Sequence, residues 1–193
     1  MKKEICRVSF TDKIRNSIFK RRHIFDGDKL RSEYDGDYSL LNLIRGSEAS
    51  ISTSNSLRPV LASVGMGPCI AMAGYDSRQK IGFISHNGVG DYIEVIHDIV
   101  LTELNKISNG LSMDIHIVGG MLGSKELADD LRNYAKKEFN PKSINEDLAL
   151  NISDWTYLGK SLVLDTRNGK IYSIDGGGRL QYLPPANPRI SLR

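Results

Sequence analysis

Three side chains in this sequence have the types and spacing to carry out nucleophilic chemistry. They are Cys69, His86 seventeen residues later, and Ser63 six residues before the cysteine. A thiol is a weak nucleophile until it loses its proton, and an imidazole within reach can take that proton and leave a thiolate able to attack a carbonyl carbon. A hydroxyl that hydrogen-bonds the other ring nitrogen would orient the imidazole. Two glycines, Gly65 and Gly67, stand between Ser63 and Cys69 in Ser63-Val64-Gly65-Met66-Gly67-Pro68-Cys69, where a missing side chain lets a substrate lie against the main chain.

The residues around the pair explain how it could assemble. Cys69-Ile70-Ala71-Met72-Ala73 and Lys80-Ile81-Gly82-Phe83-Ile84-Ser85 are apolar runs of strand length, and Tyr75-Asp76-Ser77-Arg78-Gln79 between them is a link of hairpin length. A hairpin folded there brings its far ends together, and those ends are Cys69 and His86. The same residues also fit a catalytically silent fold, because a cysteine heading an apolar strand is commonly a small core residue.

The flanking sequence supplies the rest of the scaffold. Ile93, Ile96, Val100, Leu104 and Ile107 recur at three- and four-residue steps and predict a helix, with Asp91 and Glu94 spaced as a capping box. Asp114 to Val118 reads as a strand, and Ser124 is placed to cap a second helix carrying Leu127, Leu131, Tyr134 and Phe139 before Pro141. Val60 to Val64, Asp147 to Ile152, Ser161 to Asp165 and Lys170 to Ile174 read as further strands, the last two joined at Asn168-Gly169. Strands followed by two helices around a strand, then more strands, predict an α+β fold of layered α/β/β type. Residues 1–56 read as an accessory segment and 57–193 as the main domain. In the former, Thr11 to Lys20 and Tyr38 to Ile44 are expected as short helices, and the serine-rich stretch from Ser47 to Ser56 as a loop or linker.

Composition narrows the classes. The 193 residues are 40% hydrophobic and 25% charged with a net charge of +3, as expected of a globular protein. No apolar run is long enough for a membrane helix, and MKKEICRVSFTDK lacks the apolar stretch of a signal peptide, so a cytoplasmic protein is expected, with a secreted effector as the alternative. Residues 1–32 hold ten Lys/Arg against four Asp/Glu, but no aromatic residues are interleaved with the basic run Lys20-Arg21-Arg22-His23, so nucleic acid is not an expected partner. His23, His86, His97 and His116 show no paired ligand spacing, and neither a metal nor another cofactor is expected. His97 reads as a residue at the border of the first helix's apolar stripe. His116 alternates with Ile115 and Ile117 and faces away from them, in a structural role. Asp175-Gly176-Gly177-Gly178 is a turn, and the residues from Pro184 onward form an extended tail.

The motif Ser63-Val64-Gly65-Met66-Gly67-Pro68-Cys69, the Tyr75-Asp76 turn, Lys80-Ile81-Gly82 and His86 resemble the CheD family of chemotaxis receptor glutamine deamidases. Ser85-His86-Asn87-Gly88-Val89-Gly90-Asp91 and His116-Ile117-Val118-Gly119-Gly120 are similar to stretches of protein N-terminal asparagine amidohydrolases. The resemblance spans roughly 57–175 and implies a CheD-like deamidase sandwich with Cys69 as nucleophile, His86 as general base and Ser63 as the residue orienting it. It further implies Gly65, Gly67, Asn87 and Asp91 along the substrate, with Asp91 facing a free α-amino group. The implied activity is hydrolysis of Asn or Gln side-chain amides in a protein or peptide substrate, with N-terminal Asn slightly preferred. A glutamine deamidase acting on a folded protein and a silent binding module are the alternatives. Two positions depart from the CheD pattern: serine replaces threonine at 63, and Pro68 replaces the serine before the cysteine and has no N–H to offer.

Overall fold

The computed structural model describes residues 7–9, 38–152, 159–174 and 180–183. Its strands are β1 (Arg7–Ser9), β2 (Leu41–Ile44), β3 (Glu48–Thr53), β4 (Val60–Met66), β5 (Ile70–Asp76), β6 (Ile81–Asn87), β7 (Asp114–Gly119), β8 (Ser143–Leu148), β9 (Lys160–Asp165), β10 (Lys170–Ile174) and β11 (Leu180–Leu183). The helices are α1 (Ile93–Ile107) and α2 (Lys125–Glu138). One sheet has the order β1-β3-β6-β5-β7-β8 and the other β11-β10-β9-β4-β2. All neighbours are antiparallel except β7–β8 and β2–β4.

Alternation along the strands builds the layers. Ile70 and Met72 of β5, Ile81 and Phe83 of β6, and Ile115 and Ile117 of β7 pack in one buried cluster with Ile93, Ile96, Val100 and Leu104 of α1 and Leu127 and Leu131 of α2. The residues between them, Ala71, Ala73, Ile84 and Val118, pack instead with Leu61, Leu162 and Leu164 of the second sheet. Helices therefore cover one face of the six-stranded sheet and the second sheet covers the other, a mixed α+β sandwich. Each fully buried Leu or Ile contributes at most about 1.5–3 kcal/mol to holding the layers together.

Several sequence expectations require correction. The stretch expected as a linker contains β3, which lies between β1 and β6. Its Ala49 and Ile51 face the helices while Ser50 and Ser52 face the second sheet and are satisfied there, Ser50 accepting from the Asn42 amide at 2.6 Å and Ser52 donating to the Arg58 carbonyl at 3.0 Å. Tyr38 to Ile44 is a short 3-10 turn followed by β2, because parallel pairing with β4 satisfies its backbone in a sheet. Both strands come from the segment expected as accessory. The strand expected at Asp147 to Ile152 is β8 at Ser143–Leu148, since pairing with β7 starts at Ser143 opposite Asp114.

The capping box is also absent. The residue ahead of α1 is Tyr92 and no side chain caps the helix, because the Asp91 carboxylate turns back to accept from Gly88 N–H at 2.6 Å and from the Ser47 hydroxyl at 2.9 and 3.0 Å. Ser124 precedes α2 as expected, yet its hydroxyl donates to the Pro68 carbonyl at 2.7 Å rather than capping. His97, expected at a border, is fully buried against Ser85. The Asn168-Gly169 link is a four-residue turn, 166–169, in which Gly169 takes φ 72°. The expectations for Thr11 to Lys20, the basic run, the Asp175 glycine turn and the tail from Pro184 lie outside the described residues.

Candidate functional site

The β5–β6 hairpin sets the distance between thiol and imidazole. Its register pairs Ala71 with His86 and Ile70 with Asn87. Cys69 immediately precedes β5, and continuing this register places it diagonal to His86, a relation that in a regular sheet spans about 7–8 Å between Cα atoms. His86 faces the second sheet, as Ala71 and Ile84 do. His86 is buried and Cys69 half-buried.

Ser63 reaches the pair from the opposite sheet. It is fully buried on β4, and its Oγ lies 2.8 Å from His86 Nδ1. With Nδ1 engaged there, Nε2 is the nitrogen left to accept a proton from the thiol. Immediately after Ser63, β4 gains one residue relative to β9, a bulge in which Gly65 adopts φ 72°. The bulge redirects the chain out of the sheet into the turn that carries Gly67, Pro68 and Cys69, and Gly67 N–H donates to the Gly65 carbonyl at 3.0 Å.

The turn is held from two sides. Gly120 N–H donates to the Cys69 carbonyl at 2.9 Å, and the Ser124 hydroxyl grips the Pro68 carbonyl. Close approach depends on absent side chains: a Cβ on Gly119, at φ 111°, would come within 2.9 Å of the Cys69 carbonyl oxygen. On Gly159, at φ 75°, it would lie 2.2 Å from the Gly67 nitrogen and 2.3 Å from the Met66 carbonyl carbon.

Burial shapes the protonation of the pair. It pushes the Cys69 thiol up to about 11, with the Asp91 carboxylate adding to the effect. Burial also pulls His86 down to about 4, against the opposing pull of Asp91 and Glu48. The resting pair is a neutral thiol beside a neutral imidazole, which can exchange the proton as a bond forms at sulfur.

Ser63 and His86 thus meet between the sheets with Cys69 at the head of the adjoining strand, and Gly65 lies on the exposed bulge after Ser63 with nothing within 4 Å of a Cβ built on it. Asp91 reaches the site through its charge while its oxygens hold the Gly88 and Ser47 turns together. Asn87 points the other way. It is fully buried on the helix side, donating to the Ile70 carbonyl at 3.1 Å and to Ser85 Oγ at 3.0 Å, so it braces the strand end rather than lining the opening. Ser85 in turn contacts His97 Nε2 at 2.8 Å.

A cleft of about 310 Å³ opens beside Asp91 between the two helices, with Glu94, Asp130 and Tyr134 in its wall; neither Cys69 nor His86 lines it. Among the described residues no group of three or more His, Cys, Asp or Glu side chains is arranged to hold a metal ion, and no helix is long and apolar enough to cross a membrane. The sequence reading missed Glu48, opposite His86, and Ser124, on the Pro68 carbonyl. The only early signal for Ser124 was its place before a helix, and that suggested a different partner. In comparisons with known proteins, the sequence matches no protein-family model and no curated relative.

Proposed function

We propose that this protein is a cysteine-dependent amidohydrolase of CheD-like type that converts Asn or Gln side-chain amides of a protein or peptide into the corresponding acids. The observation that carries the reading is the 2.8 Å contact between Ser63 and His86 Nδ1, which spans two sheets and leaves Nε2 as the ring nitrogen available to a thiol proton. A buried serine and histidine joined across a sandwich, with a half-buried cysteine just ahead of the strand paired with the histidine's, match the residue types expected of orienting group, base and nucleophile.

In the proposed cycle the Cys69 proton passes to His86 Nε2 as sulfur bonds to the carboxamide carbon. The oxyanion is received by the Cys69 N–H, since Pro68 has none to give. The imidazolium then protonates the departing ammonia, leaving a thioester. A water molecule gives a proton to the same nitrogen as it attacks the thioester, and collapse releases the carboxylate and restores the thiol. N-terminal Asn is slightly preferred in this reading, since the charge of Asp91, felt at both Cys69 and His86, suits a substrate that carries an α-ammonium group.

The test is mass spectrometry of peptides bearing N-terminal Asn, N-terminal Gln, and internal Asn and Gln after incubation with wild type and with Cys69→Ala. Amide-to-acid conversion by wild type alone is the expected result, and the peptide converted fastest defines the substrate class. One observation favours a silent binding module instead: the buried thiol sits near 11, far from a ready thiolate. Alkylation separates the two, because a nucleophile assisted by His86 reacts faster at neutral pH than Cys6 and slows in His86→Gln, whereas a silent site does neither.

A further inference from the structure

We propose that Glu48, directly opposite His86 on β3, is a positioning residue for the candidate site, balancing the positive charge that the ring gains with the Cys69 proton. The inference rests on the reading of Cys69 as a nucleophile and His86 as its base. Glu48 pairs with His86 in the β3–β6 register. Since Ala49 and Ile51 face the helices, Glu48 projects with His86 into the space between the sheets, where it is only 6% exposed. Its Oε2 accepts from Arg45 N–H at 3.1 Å, its own N–H donates to the Arg45 carbonyl at 3.1 Å, and Ser47 N–H donates to the His86 carbonyl at 2.9 Å. The turn that presents the carboxylate is therefore fastened to the strand that presents the ring.

Among the described residues, the ionisable groups acting on the ring are Glu48 from β3 and Asp91 from the turn before α1, with the Ser63 hydroxyl from β4. The two carboxylates differ in position. Asp91 acts on both members of the pair, so it favours the imidazolium and opposes the thiolate together. Glu48 lies on the side of β6 away from β5, so it is the direct neighbour of His86 while the whole of β6 separates it from the strand that follows Cys69. It is thus the group that narrows the gap between base and thiol rather than moving both. The Arg45 N–H fixes the position of the Glu48 carboxylate, so its charge is held opposite the ring without reorganisation.

Glu48→Gln keeps the shape and the acceptor for Arg45 N–H while removing the charge. The experiment measures Cys69 alkylation by iodoacetamide against pH, resolved from Cys6 by mass spectrometry, together with NMR titration of the His86 ring and urea denaturation as a check on folding. The expected result is alkylation slowed about tenfold at neutral pH, with protonation of the ring moved about one pH unit lower. Glu48→Asp restores part of the rate and serves as the test if the glutamine variant fails to fold. A folded Glu48→Gln protein with unchanged rate, pH profile and ring titration overturns the proposal while the reading of Cys69 and His86 stands. Alkylation that is also unaffected by His86→Gln overturns both.

Discussion

Replacing Gly159 with alanine presses a methyl group onto the backbone of the turn that carries Cys69, and Gly65 provides the matched control. Both glycines occupy left-handed backbone, at φ 75° and 72°. An alanine at either position costs about 1–2 kcal/mol from conformation alone. The surroundings then differ: Gly65 has nothing within 4 Å of an added Cβ, whereas Gly159 would place it 2.2 Å from the Gly67 nitrogen and 2.8 Å from the Met66 nitrogen. Backbone atoms cannot swing aside like a side-chain tip, so Gly159→Ala carries a further overpacking cost of about 1–3 kcal/mol. The expected losses of stability are about 1–2 kcal/mol for Gly65→Ala and about 2–5 kcal/mol for Gly159→Ala. Urea denaturation gives the difference in stability, and the alkylation rate of Cys69 shows whether the turn has moved. Equal destabilisation by the two alanines, with Cys69 reactivity unchanged in both, would refute the packing argument.

The Ser63 contact gives a second test. Ser63→Ala removes the partner of a fully buried ring nitrogen and is expected to cost about 1–3 kcal/mol in stability and to lower Cys69-dependent activity, whereas Ser63→Thr keeps the hydroxyl and retains most of both, as chemical denaturation and peptide turnover will show. Burial lowers His86 and His116 to about 4 and His97 to about 3, all below the ordinary value near 6.5. Unfolded chains therefore bind more protons below that value, and each ring removes about 1.4 kcal/mol of stability per pH unit as the pH falls from 6.5 toward 4. Denaturation at pH 7 and pH 5 measures this, and His97→Gln is expected to flatten the dependence. Asp76 is fully buried in the β5–β6 turn; burial raises its carboxyl, but N–H groups of Ser112, Gln79 and Arg78 outweigh that and hold it below the ordinary range. Asp76→Ala strands those donors and is expected to cost about 3 kcal/mol or more, measured by the urea midpoint.

The Cys69–His86 relation was legible because a short link between two apolar runs fixes the register, and register fixes which residues share a face. The helices were legible from their 3.6-residue period. Ser63 was suggested by its hydroxyl and its place six residues before Cys69, but its bond to His86 joins different sheets and no local pattern encodes it. β3 was missed because its inward polar residues are serines that bond between the layers, so composition suggested a linker while the alternation of Ala49 and Ile51 was hidden. That error also concealed Glu48. β2 was misread because Leu40, Leu41 and Ile44 fit a helical turn as well as a four-residue strand, and only pairing with β4 decides between them.

The bond between Ser63 and His86 also makes the imidazole a gauge of how the two layers are docked. Cys69 and His86 ride on one hairpin and move together, whereas Ser63 belongs to the other sheet. Sliding one layer over the other by a single residue, about 3.4 Å, exceeds the 2.8 Å contact and releases the ring while the hairpin stays intact. A small molecule wedged between the layers would then silence the ring without touching the thiol, and the tautomer of His86, read by nitrogen chemical shift, would report the slippage directly.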